Sequence, residues 1–318
     1  MGKKQNFVFL MDPLSTVKME KDTTFIFMLE SYQRGHHVYF LPEGGIFQKN
    51  GRLFFSVTEV KPQQVAKKPF IERRHMTLPE NKVDVVFIRT DPPFDQEYLL
   101  NTWFLDLLPK RIPVINSPSG IRTVNEKLWA TQFTSIVPRT FVGRRKDDLL
   151  NFLKKEQSVV IKPLNGYGGQ GIRPLHNKDS KTVAVLQKAT RDWSKDIILQ
   201  QLLPEAQYGD KRILLLNGDP LGAIQRIHAK GQFLNNLFAG GKPFPTKITQ
   251  RDRDIIKILK PHLRSLGLYF VGIDIIGDYL TEVNVTSPTC LQEMNQLYGV
   301  KLEKKVIDFV ETLIKCRN

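Results

Sequence analysis

The chain has 318 residues, of which 41% are apolar, so it can bury substantial hydrophobic cores and form two or three domains. Its two cysteines, Cys290 and Cys316, exclude a disulfide framework and favour a reducing cytoplasm. No apolar stretch is long enough to cross a bilayer, and the apolar run over residues 7–11 is too short for a signal peptide, so we expect no membrane association.

The first part of the chain alternates predicted strands with predicted helices. Asp22 can cap a helix that continues to Arg34 and stops at Gly35, and Ser117 followed by Pro118 can open another helix. Four short apolar runs are predicted as strands: residues 7–11, 37–41, 83–89 and 113–115. This alternation is typical of a doubly wound α/β domain.

A net charge of +15 raises the question of nucleic-acid binding. Part of this charge lies in residues 61–82, a stretch that we interpret as an exposed loop. Phe70 is the one aromatic ring among these charges, so a stacking platform for single strands is poorly supported, and no zinc-finger spacing exists. We therefore expect a solvated basic loop and no specific nucleic-acid partner, with a positive field that favours capture of anionic small molecules.

Three basic residues are spaced so that they could serve a nucleotide triphosphate. Lys127 lies early in a predicted helix, Lys162 ends a predicted strand, and Arg212 follows Gly209-Asp210-Lys211. Each of them taken singly could be a solvated surface charge. Their order around a glycine-rich loop and an acidic hairpin is the informative feature.

The glycine-rich loop follows the β-branched run that ends at Lys162. Gly166, Gly168 and Gly171 have the spacing of the dinucleotide-binding fingerprint, but that fingerprint requires a helix to open at the last glycine, and Pro174 favours a strand instead. A strand, a glycine loop and a second strand form a flap whose backbone N–H groups can close over phosphates. We call residues 166–171 the glycine flap. An ordinary glycine-rich hairpin is the alternative interpretation.

A helix is predicted from Thr249, because apolar residues recur at helical spacing after it. Pro261 should kink this helix and Gly267 should end it.

Residues 270–289 contain two apolar strand-like runs around a Gly-Asp turn, with oxygen-bearing side chains set into them. Glu282 and Asn284 are two residues apart, so both side chains leave the same face of a strand, roughly 6 to 7 Å apart. Asp274 joins them only if the register across the turn is right. A two-residue loop would place Asp274 opposite Thr281, whereas a three-residue loop over residues 277–279 places it opposite Glu282, at about 5 Å between β-carbons.

We therefore predict an odd-length, bulged turn that brings these three side chains together. Two carboxylates and an amide suit a hard cation such as Mg²⁺, held together with nucleotide phosphates, rather than zinc. An ordinary hairpin with solvent-facing acids is the alternative.

These motifs, in this order, closely resemble prokaryotic-type glutathione synthetase, a family of the ATP-grasp ligases. The resemblance is close to full length, and its most specific parts are the Asp-Pro-Pro-Phe-Asp block at residues 91–95 and the stretch Thr-Glu-Val-Asn-Val-Thr-Ser-Pro-Thr at residues 281–289. The glycine flap is less specific, because other ATP-grasp enzymes share it. Further matching segments are residues 11–13, 21–25, 125–128, 209–212 and 239–241.

The resemblance implies a three-part α/β fold. Residues 1–122 would form a doubly wound, Rossmann-like N-terminal domain, and residues 123–203 a lid domain with the glycine flap. Residues 204–318 would form an antiparallel sheet with helices that carries the metal site. A symmetric assembly, a homotetramer, is also implied.

The implied reaction begins when ATP phosphorylates the carboxylate of γ-glutamylcysteine. The amine of glycine then attacks the acyl phosphate, giving glutathione, ADP and phosphate, with Mg²⁺ as the cofactor and Mn²⁺ as an alternative. In phosphoryl transfer the protein mainly positions the substrates and neutralises the charge of the phosphates, so no protein nucleophile is needed. Another ATP-grasp carboxylate–amine ligase with a different acceptor is the alternative, although the block at residues 91–95 argues against it.

The resemblance also assigns roles by position. Metal ligands would be Asp274, Glu282 and Asn284, and the catalytic arginines would be Arg226, facing the transferred phosphoryl group, and Arg212. ATP would be bound by Lys127, Lys162, Gly166, Tyr167, Gly168, Gly169, Gly171, Gln200, Gln201, Leu202, Leu203, Asp210 and Arg212. Substrates would be bound by Arg89, Asn236, Ser287, Pro288 and Thr289, although capping of the next helix is an equal interpretation for Ser287 and Thr289.

The chain departs from the family pattern in the loop that follows Arg226. Leu234 stands where the resemblance leads us to expect an arginine, which weakens the assignment of this loop. Lys230 could supply the charge instead, or the loop could close differently.

Overall fold

A computed structural model describes residues 4–166, 168–228 and 241–317. The first of its three sheets has the strand order β3-β4-β2-β1-β6-β7, with β5 paired to β4. Strands β2, β1, β6 and β7 run parallel, whereas β3, β4 and β5 form an antiparallel extension at one edge. The strands are β1 (Asn6–Leu10), β2 (His37–Leu41), β3 (Ile46–Lys49), β4 (Arg52–Pro62), β5 (Phe70–Pro79), β6 (Val85–Ile88) and β7 (Val114–Ile115).

Helices cover both faces of this sheet. The helices are α1 (Thr23–Gln33), α2 (Gln96–Asp106) and α3 (Pro118–Thr123). Side chains alternate along β1, so Phe7 and Phe9 pack with α1 residues, whereas Val8 and Leu10 belong to the cluster that contains α2 residues. Asp22 caps α1 by accepting a 2.7 Å hydrogen bond from the N–H of Phe25, as expected. The predicted doubly wound domain is therefore confirmed.

The basic segment before β6 is not a loop, so this prediction is wrong. Its charges lie on β5 and on the turn that joins β5 to β4, and β5 pairs with β4 along its length. β4 buries Phe55 and Val57, whereas Arg73 and Arg74 on β5 are exposed. The charged side chains are solvated as expected. Pairing of β5 with the partly buried strand β4 nevertheless outweighs the low β-propensity of these charged residues and makes the segment a strand.

The second sheet has the order β10-β9-β11-β8 and is antiparallel throughout. Its strands are β8 (Thr140–Gly143), β9 (Ser158–Pro163), β10 (Arg173–His176) and β11 (Ile197–Gln201), and its helices are α4 (Lys146–Glu156) and α5 (Thr182–Ala189). The glycine flap lies between β9 and β10, so the strand predicted at Pro174 is confirmed. Lys127 is in a turn before a short 3₁₀ helix, Trp129–Gln132, rather than in the predicted helix.

The third sheet has the order β14-β13-β12-β15-β16 and is also antiparallel. Its strands are β12 (Asp210–Leu216), β13 (Asp219–Ile227), β14 (Lys242–Pro245), β15 (Phe270–Ile276) and β16 (Tyr279–Asn284). Helix α6 (Gln250–Ser265) covers one face, and α7 (Leu291–Tyr298) and α8 (Leu302–Arg317) cover the other. Thr249 and Asp252 form a capping box, and α6 continues past Pro261 to end before Gly267, which has a φ of +64°.

One buried cluster extends from the first sheet to the third. It contains β1 and α2 residues together with Leu259 of α6 and Ile273 of β15. The first and third sheets are therefore packed on a shared core that positions their loops around one cleft. Among helices in the described ranges, none is long and apolar enough to cross a membrane.

Candidate active site

The hairpin β15–β16 has the predicted register but not the predicted loop. Asp274 lies opposite Glu282, and Gly272 lies opposite Asn284. The turn has two residues, however, because Ile276 pairs with Tyr279, and the extra residue is a bulge at Thr281. A bulge adds one residue to a strand and restores the register that a two-residue turn would lose. The predicted three-residue loop is therefore wrong, but the predicted bulge and the register that places Asp274 opposite Glu282 are correct.

Asp274 belongs to an alternating chain of buried ion pairs. Its Oδ1 and Oδ2 accept hydrogen bonds from Nε and Nη2 of Arg212 at 2.5 and 2.8 Å, and Nη2 of Arg226 lies 3.0 Å from Oδ2. Arg226 in turn donates two bonds of 2.7 Å to Asp210. We call Arg212, Asp274, Arg226 and Asp210 the ion-pair network. It lies on adjacent strands β13, β12 and β15, which is why residues far apart in the chain meet.

The network sets the protonation states of its acids. Burial by itself would raise the pKa of Asp274, but the guanidinium groups of Arg212 and Arg226 outweigh burial and hold that pKa well below its usual range. Burial raises the pKa of Asp210, although Arg226 opposes the effect. Asp274 therefore stays ionised at neutral pH, with both of its oxygens paired to arginines.

Two lysines approach the same place from the second sheet and from the segment before it. Nζ of Lys127 donates to the carbonyl of Gly166 in the glycine flap and lies 3.1 Å from Oε1 of Glu282. Nζ of Lys162 donates to Oε1 of Gln200 at 2.7 Å. Burial lowers the pKa of Lys162 to about 8. The flap is thus tied to the β15–β16 hairpin through Lys127.

A single cavity of 480 Å³ connects these groups, a volume within the usual range of small-molecule sites. Gly166, Gly171 and Arg89 are not in its lining. Tyr167 and Asn236, like Lys230 and Leu234, lie outside the described residues. The predicted site residues that line the cavity are Lys127, Lys162, Gly168, Gly169, Gln200, Gln201, Leu202, Leu203, Asp210, Arg212, Arg226, Asp274, Glu282, Asn284, Ser287, Pro288 and Thr289.

Sequence reasoning missed Glu126 as a residue of this site. Oε1 of Glu126 accepts hydrogen bonds from the N–H groups of Val285 and Thr286 at 2.8 and 3.1 Å, and from the Thr286 hydroxyl at 2.9 Å. Burial raises the pKa of Glu126, and the neighbouring charge of Glu282 adds to that effect. Glu126 therefore joins the segment of Lys127 to the end of β16. Its position beside Lys127 in the sequence was the one available signal.

The loop after β16 meets Arg89 and Asp91 from the first sheet. Arg89 is buried, donates from Nε to the Thr24 hydroxyl and from Nη2 to the Pro288 carbonyl, both at 3.0 Å, and has no partner for Nη1 among the described residues. Burial lowers the pKa of Arg89. Asp91 lines the cavity and hydrogen-bonds with Ser287.

Helix capping by Ser287 or Thr289 is wrong as an alternative. The residue at the N-cap of α7 is Cys290, which has a φ of +83° and makes no side-chain capping bond. The hydroxyl groups of Ser287 and Thr289 are therefore not used to cap α7, and both residues face the cavity.

The candidate metal ligands are two carboxylates and an amide. In the described ranges no group of three or more His, Cys, Asp or Glu side chains could hold a metal ion, so the candidate set includes the Asn284 amide. Nδ2 of Asn284 lies 3.4 Å from Oδ2 of Asp274, and Glu282 lines the same cavity. This oxygen set fits a hard divalent cation whose remaining ligands are phosphate oxygens and water.

Known proteins resemble this chain over nearly its whole length. Residues 6–122 match the family "Prokaryotic glutathione synthetase, N-terminal domain", and residues 126–299 match "Prokaryotic glutathione synthetase, ATP-grasp domain". A glutathione synthetase of Synechocystis is 39% identical over 95% of this chain and 98% of its own length. A glutathione synthetase of Pseudomonas aeruginosa is 36% identical over 97% of this chain and 98% of its own length.

Solved structures of ATP-grasp ligases share the fold at low identity. The ligase PsnB, complexed with a minimal precursor, has a TM-score of 0.65 at 14% identity and covers 98% of this chain and 100% of its own. The D-cycloserine synthetase DcsG has a TM-score of 0.66 at 12% identity, with coverage of 96% and 99%. The structures show the shared fold, and the family matches and the two similar glutathione synthetases establish that the chain belongs to the prokaryotic glutathione synthetase family of ATP-grasp ligases.

Proposed function

We propose that this chain joins γ-glutamylcysteine to glycine with hydrolysis of ATP, and that the cavity beneath the glycine flap is where the reaction occurs. The observation that carries the proposal is the convergence of Lys127, Lys162, Arg212 and Arg226 with two carboxylates and an amide on one cavity. A triphosphate needs this combination of cations and metal ligands.

The reaction has two steps. In the first, an oxygen of the dipeptide's glycyl-accepting carboxylate attacks the γ-phosphorus of ATP, the bond between that phosphorus and the β-bridging oxygen breaks, and ADP leaves. In the second, the neutral amine of glycine attacks the acyl carbon, and phosphate leaves as the amide forms and a proton is lost. Each step moves negative charge among phosphate oxygens, so fixed cations stabilise both transition states.

Lys127, Lys162 and the backbone N–H groups of the glycine flap hold the phosphates in this proposal. The adenine lies against residues 200–203. The N–H groups of Gln201 and Leu202 already donate to Arg139 and Ser158, so we assign the adenine contacts to the carbonyl groups of this stretch and to Leu203. Asp210 orients Arg226 through its two hydrogen bonds rather than contacting the ribose.

Mg²⁺, or Mn²⁺ in its place, would be held by Asp274, Glu282 and Asn284 and would neutralise charge on the phosphate oxygens. Both oxygens of Asp274 are hydrogen-bonded to arginines. Phosphates that enter the cavity give Arg212 and Arg226 an alternative anion, and Asp274 is released towards a cation. Nucleotide and metal should therefore bind together rather than one after the other.

The dipeptide lies between Asp91, Arg89 and the loop over residues 287–289. Nη1 of Arg89 is buried and has no hydrogen-bond partner in the described ranges, which favours an incoming carboxylate near this guanidinium. The hydroxyl groups of Ser287, which is hydrogen-bonded to Asp91, and of Thr289 face the cavity and can exchange their present contacts for hydrogen bonds to substrate. Asn236 belongs to the same proposal by resemblance alone.

The remaining proposals rest on the family. We propose a cytoplasmic homotetramer with domains at residues 1–122, 123–203 and 204–318.

The test is phosphate release by the purified protein with ATP, Mg²⁺ and pairs of substrates, with the product identified by mass spectrometry. Release that requires both γ-glutamylcysteine and glycine, and yields glutathione, supports the proposal. Release with other carboxylate and amine pairs would instead identify a ligase with a different acceptor. A matched control without glycine measures hydrolysis of the acyl phosphate by water.

A further inference from the structure

Glu126 binds the end of β16 through both its backbone and its side chain. Its carbonyl accepts a 2.9 Å hydrogen bond from the N–H of Val283. Its Oε1 accepts hydrogen bonds from the N–H of Val285 at 2.8 Å, and from the N–H and the hydroxyl of Thr286 at 3.1 and 2.9 Å. A single residue therefore fixes the backbone over residues 283–286.

The backbone that Glu126 fixes carries groups that the proposed reaction uses. Glu282 comes directly before this stretch, and Asn284 lies within it. Ser287 and Thr289 follow it, and all four of these residues line the cavity. A shift of this backbone would therefore move the candidate metal ligands and the cavity-facing hydroxyl groups together.

The neighbours of Glu126 in the sequence contact the glycine flap and its base. Nδ2 of Asn125 donates to the carbonyl of Leu164 at 3.2 Å, and Nζ of Lys127 donates to the carbonyl of Gly166. These three consecutive residues therefore connect the flap with β16. Glu126 supplies the backbone contacts on the β16 side of this connection.

Asn116 holds the same stretch of β16 from the first sheet. Nδ2 of Asn116 donates to the carbonyl groups of Val285 and Phe270, both at 2.8 Å, and Oδ1 accepts from the N–H of Phe270 at 2.7 Å. These bonds do not involve Glu126. We therefore expect loss of the Glu126 side chain to displace the end of β16 without detaching it from the first sheet.

From these contacts we infer that Glu126 is a positioning residue for the ligation, whose Oε1 holds the end of β16 and the loop over residues 287–289 at a fixed position relative to Lys127 and the glycine flap. The inference rests on the proposed function and adds a positioning residue to it. The requirement is for a hydrogen-bond acceptor at this place, because three neutral donors converge on one oxygen. Misplacement of reacting groups by about 1 Å can lower turnover by about 100-fold.

The first test measures turnover and ADP binding for Glu126→Ala, Glu126→Asp and Glu126→Gln. Glu126→Ala removes the acceptor, and Glu126→Asp keeps the charge but withdraws the oxygen by one carbon–carbon bond, so both should lower kcat by roughly 30- to 100-fold. Glu126→Gln presents an amide oxygen at the same reach and should keep kcat within about threefold of the wild type. Calorimetric affinity for ADP without metal should change by less than about threefold in all three variants, because the described hydrogen bonds of Glu126 go to the end of β16 and not to β9 or β11.

Glu80→Ala is the matched control. Oε2 of Glu80 also accepts a hydrogen bond from a backbone N–H, that of Leu53 at 2.9 Å, but in the first domain and outside the lining of the cavity, so kcat should not change. Wild-type kcat in Glu126→Ala would overturn the inference. An active Glu126→Asp with an inactive Glu126→Gln would also overturn it, because the charge and not the position of the oxygen would then matter. Parallel losses of kcat, ADP affinity and free energy of unfolding in Glu126→Ala would do the same, because they indicate a purely structural role.

Hydrogen exchange tests the contact itself and needs no turnover. The amides of Val285 and Thr286 should exchange faster in Glu126→Ala and Glu126→Asp than in the wild type and Glu126→Gln, since their acceptor is lost. Mass spectrometry of peptides that cover residues 283–289 measures the difference. Equal exchange in the wild type and Glu126→Ala would overturn the inference. A wild type that makes no glutathione would instead contradict the proposed function, so the two failures are distinguishable.

Discussion

Two buried arginines near the candidate site, Arg212 and Arg89, differ in how their positive charge is balanced. On the third sheet, burial would lower the pKa of Arg212, but the Asp274 carboxylate outweighs it and the pKa is raised. Beside the first sheet, Arg89 is equally buried but makes no ion pair with any described residue, and its pKa is lowered by burial. The first arrangement is complete without ligand, whereas the second leaves a buried cation that, in the proposed function, is matched by a substrate anion.

The largest expected effect comes from disrupting the ion-pair network around Arg212. Asp274→Asn leaves two buried arginines short of a countercharge, so the free energy of unfolding should fall by about 3–5 kcal/mol. Turnover should be lost together with a metal ligand. Denaturant titration and phosphate release measure the two effects. The control is Asp219→Asn, whose 57% exposed side chain pairs at the surface with Lys260 and Arg264, and it should change stability by less than about 1 kcal/mol.

Glu282→Gln, on the strand next to Asp274, should lower turnover without lowering stability. The Glu282 side chain is 24% exposed and has one ion pair, with Lys127, so its loss should be tolerated by the fold. Turnover should fall by roughly two or more orders of magnitude, because a formal charge leaves the metal site. Glu72→Gln, at an exposed position on β5, is the matched control. Near-normal turnover with Mg²⁺ would refute the metal assignment.

Arg89→Met tests the role of the second buried arginine. The KM for γ-glutamylcysteine should rise by roughly 10- to 100-fold, since a buried charged hydrogen bond contributes about 1.5–3 kcal/mol, while the KM for ATP should change little. The loss of stability should be smaller than for Asp274→Asn, because removal of Arg89 also removes an unpaired buried charge. Steady-state kinetics with each substrate varied in turn measure the split. An equal rise in both KM values would contradict a role confined to the dipeptide.

The smallest expected effect is a pH dependence at Lys162. Burial lowers the pKa of Lys162 to about 8, and only the charged form attracts phosphate. ATP affinity of the nucleotide-free protein should therefore be constant below that pKa and fall by up to about tenfold per pH unit above it. Calorimetric titration between pH 6.5 and 9.5 measures this slope. Lys162→Arg should remove it, because arginine stays charged over that range. An unchanged slope in that variant would assign it to another group.

The β15–β16 hairpin shows how much of the candidate site could be predicted from the sequence. The opposition of Asp274 and Glu282 was predictable, because side-chain alternation and a conspicuous Gly-Asp turn are local features. The way in which the chain reaches this register was not predictable. A bulge at Thr281 takes the place of a longer loop, and that choice depends on how β16 packs. Thr281 is 8% exposed and donates from its hydroxyl to the Asp274 carbonyl at 3.1 Å, a contact that sequence patterns do not contain.

The basic segment on β5 illustrates the opposite failure. Its charged composition suggested a loop, and the exposure of Arg73 and Arg74 agrees with that, but pairing with β4 made it a strand. β-propensity is decided largely by neighbours across the sheet, which one segment cannot reveal.

The sequence by itself determined the parallel strands of the first sheet, the Asp22 cap of α1, the glycine flap between two strands and the set of oxygen and nitrogen groups available for chemistry. Those depend on residues that are close along the chain. Only the tertiary structure decided that Arg212 pairs with Asp274, 62 positions away, and that Arg89 makes no ion pair within the part of the chain that the structure describes. Such pairings depend on which strands become neighbours and on how much water burial removes, and both are properties of the packed molecule.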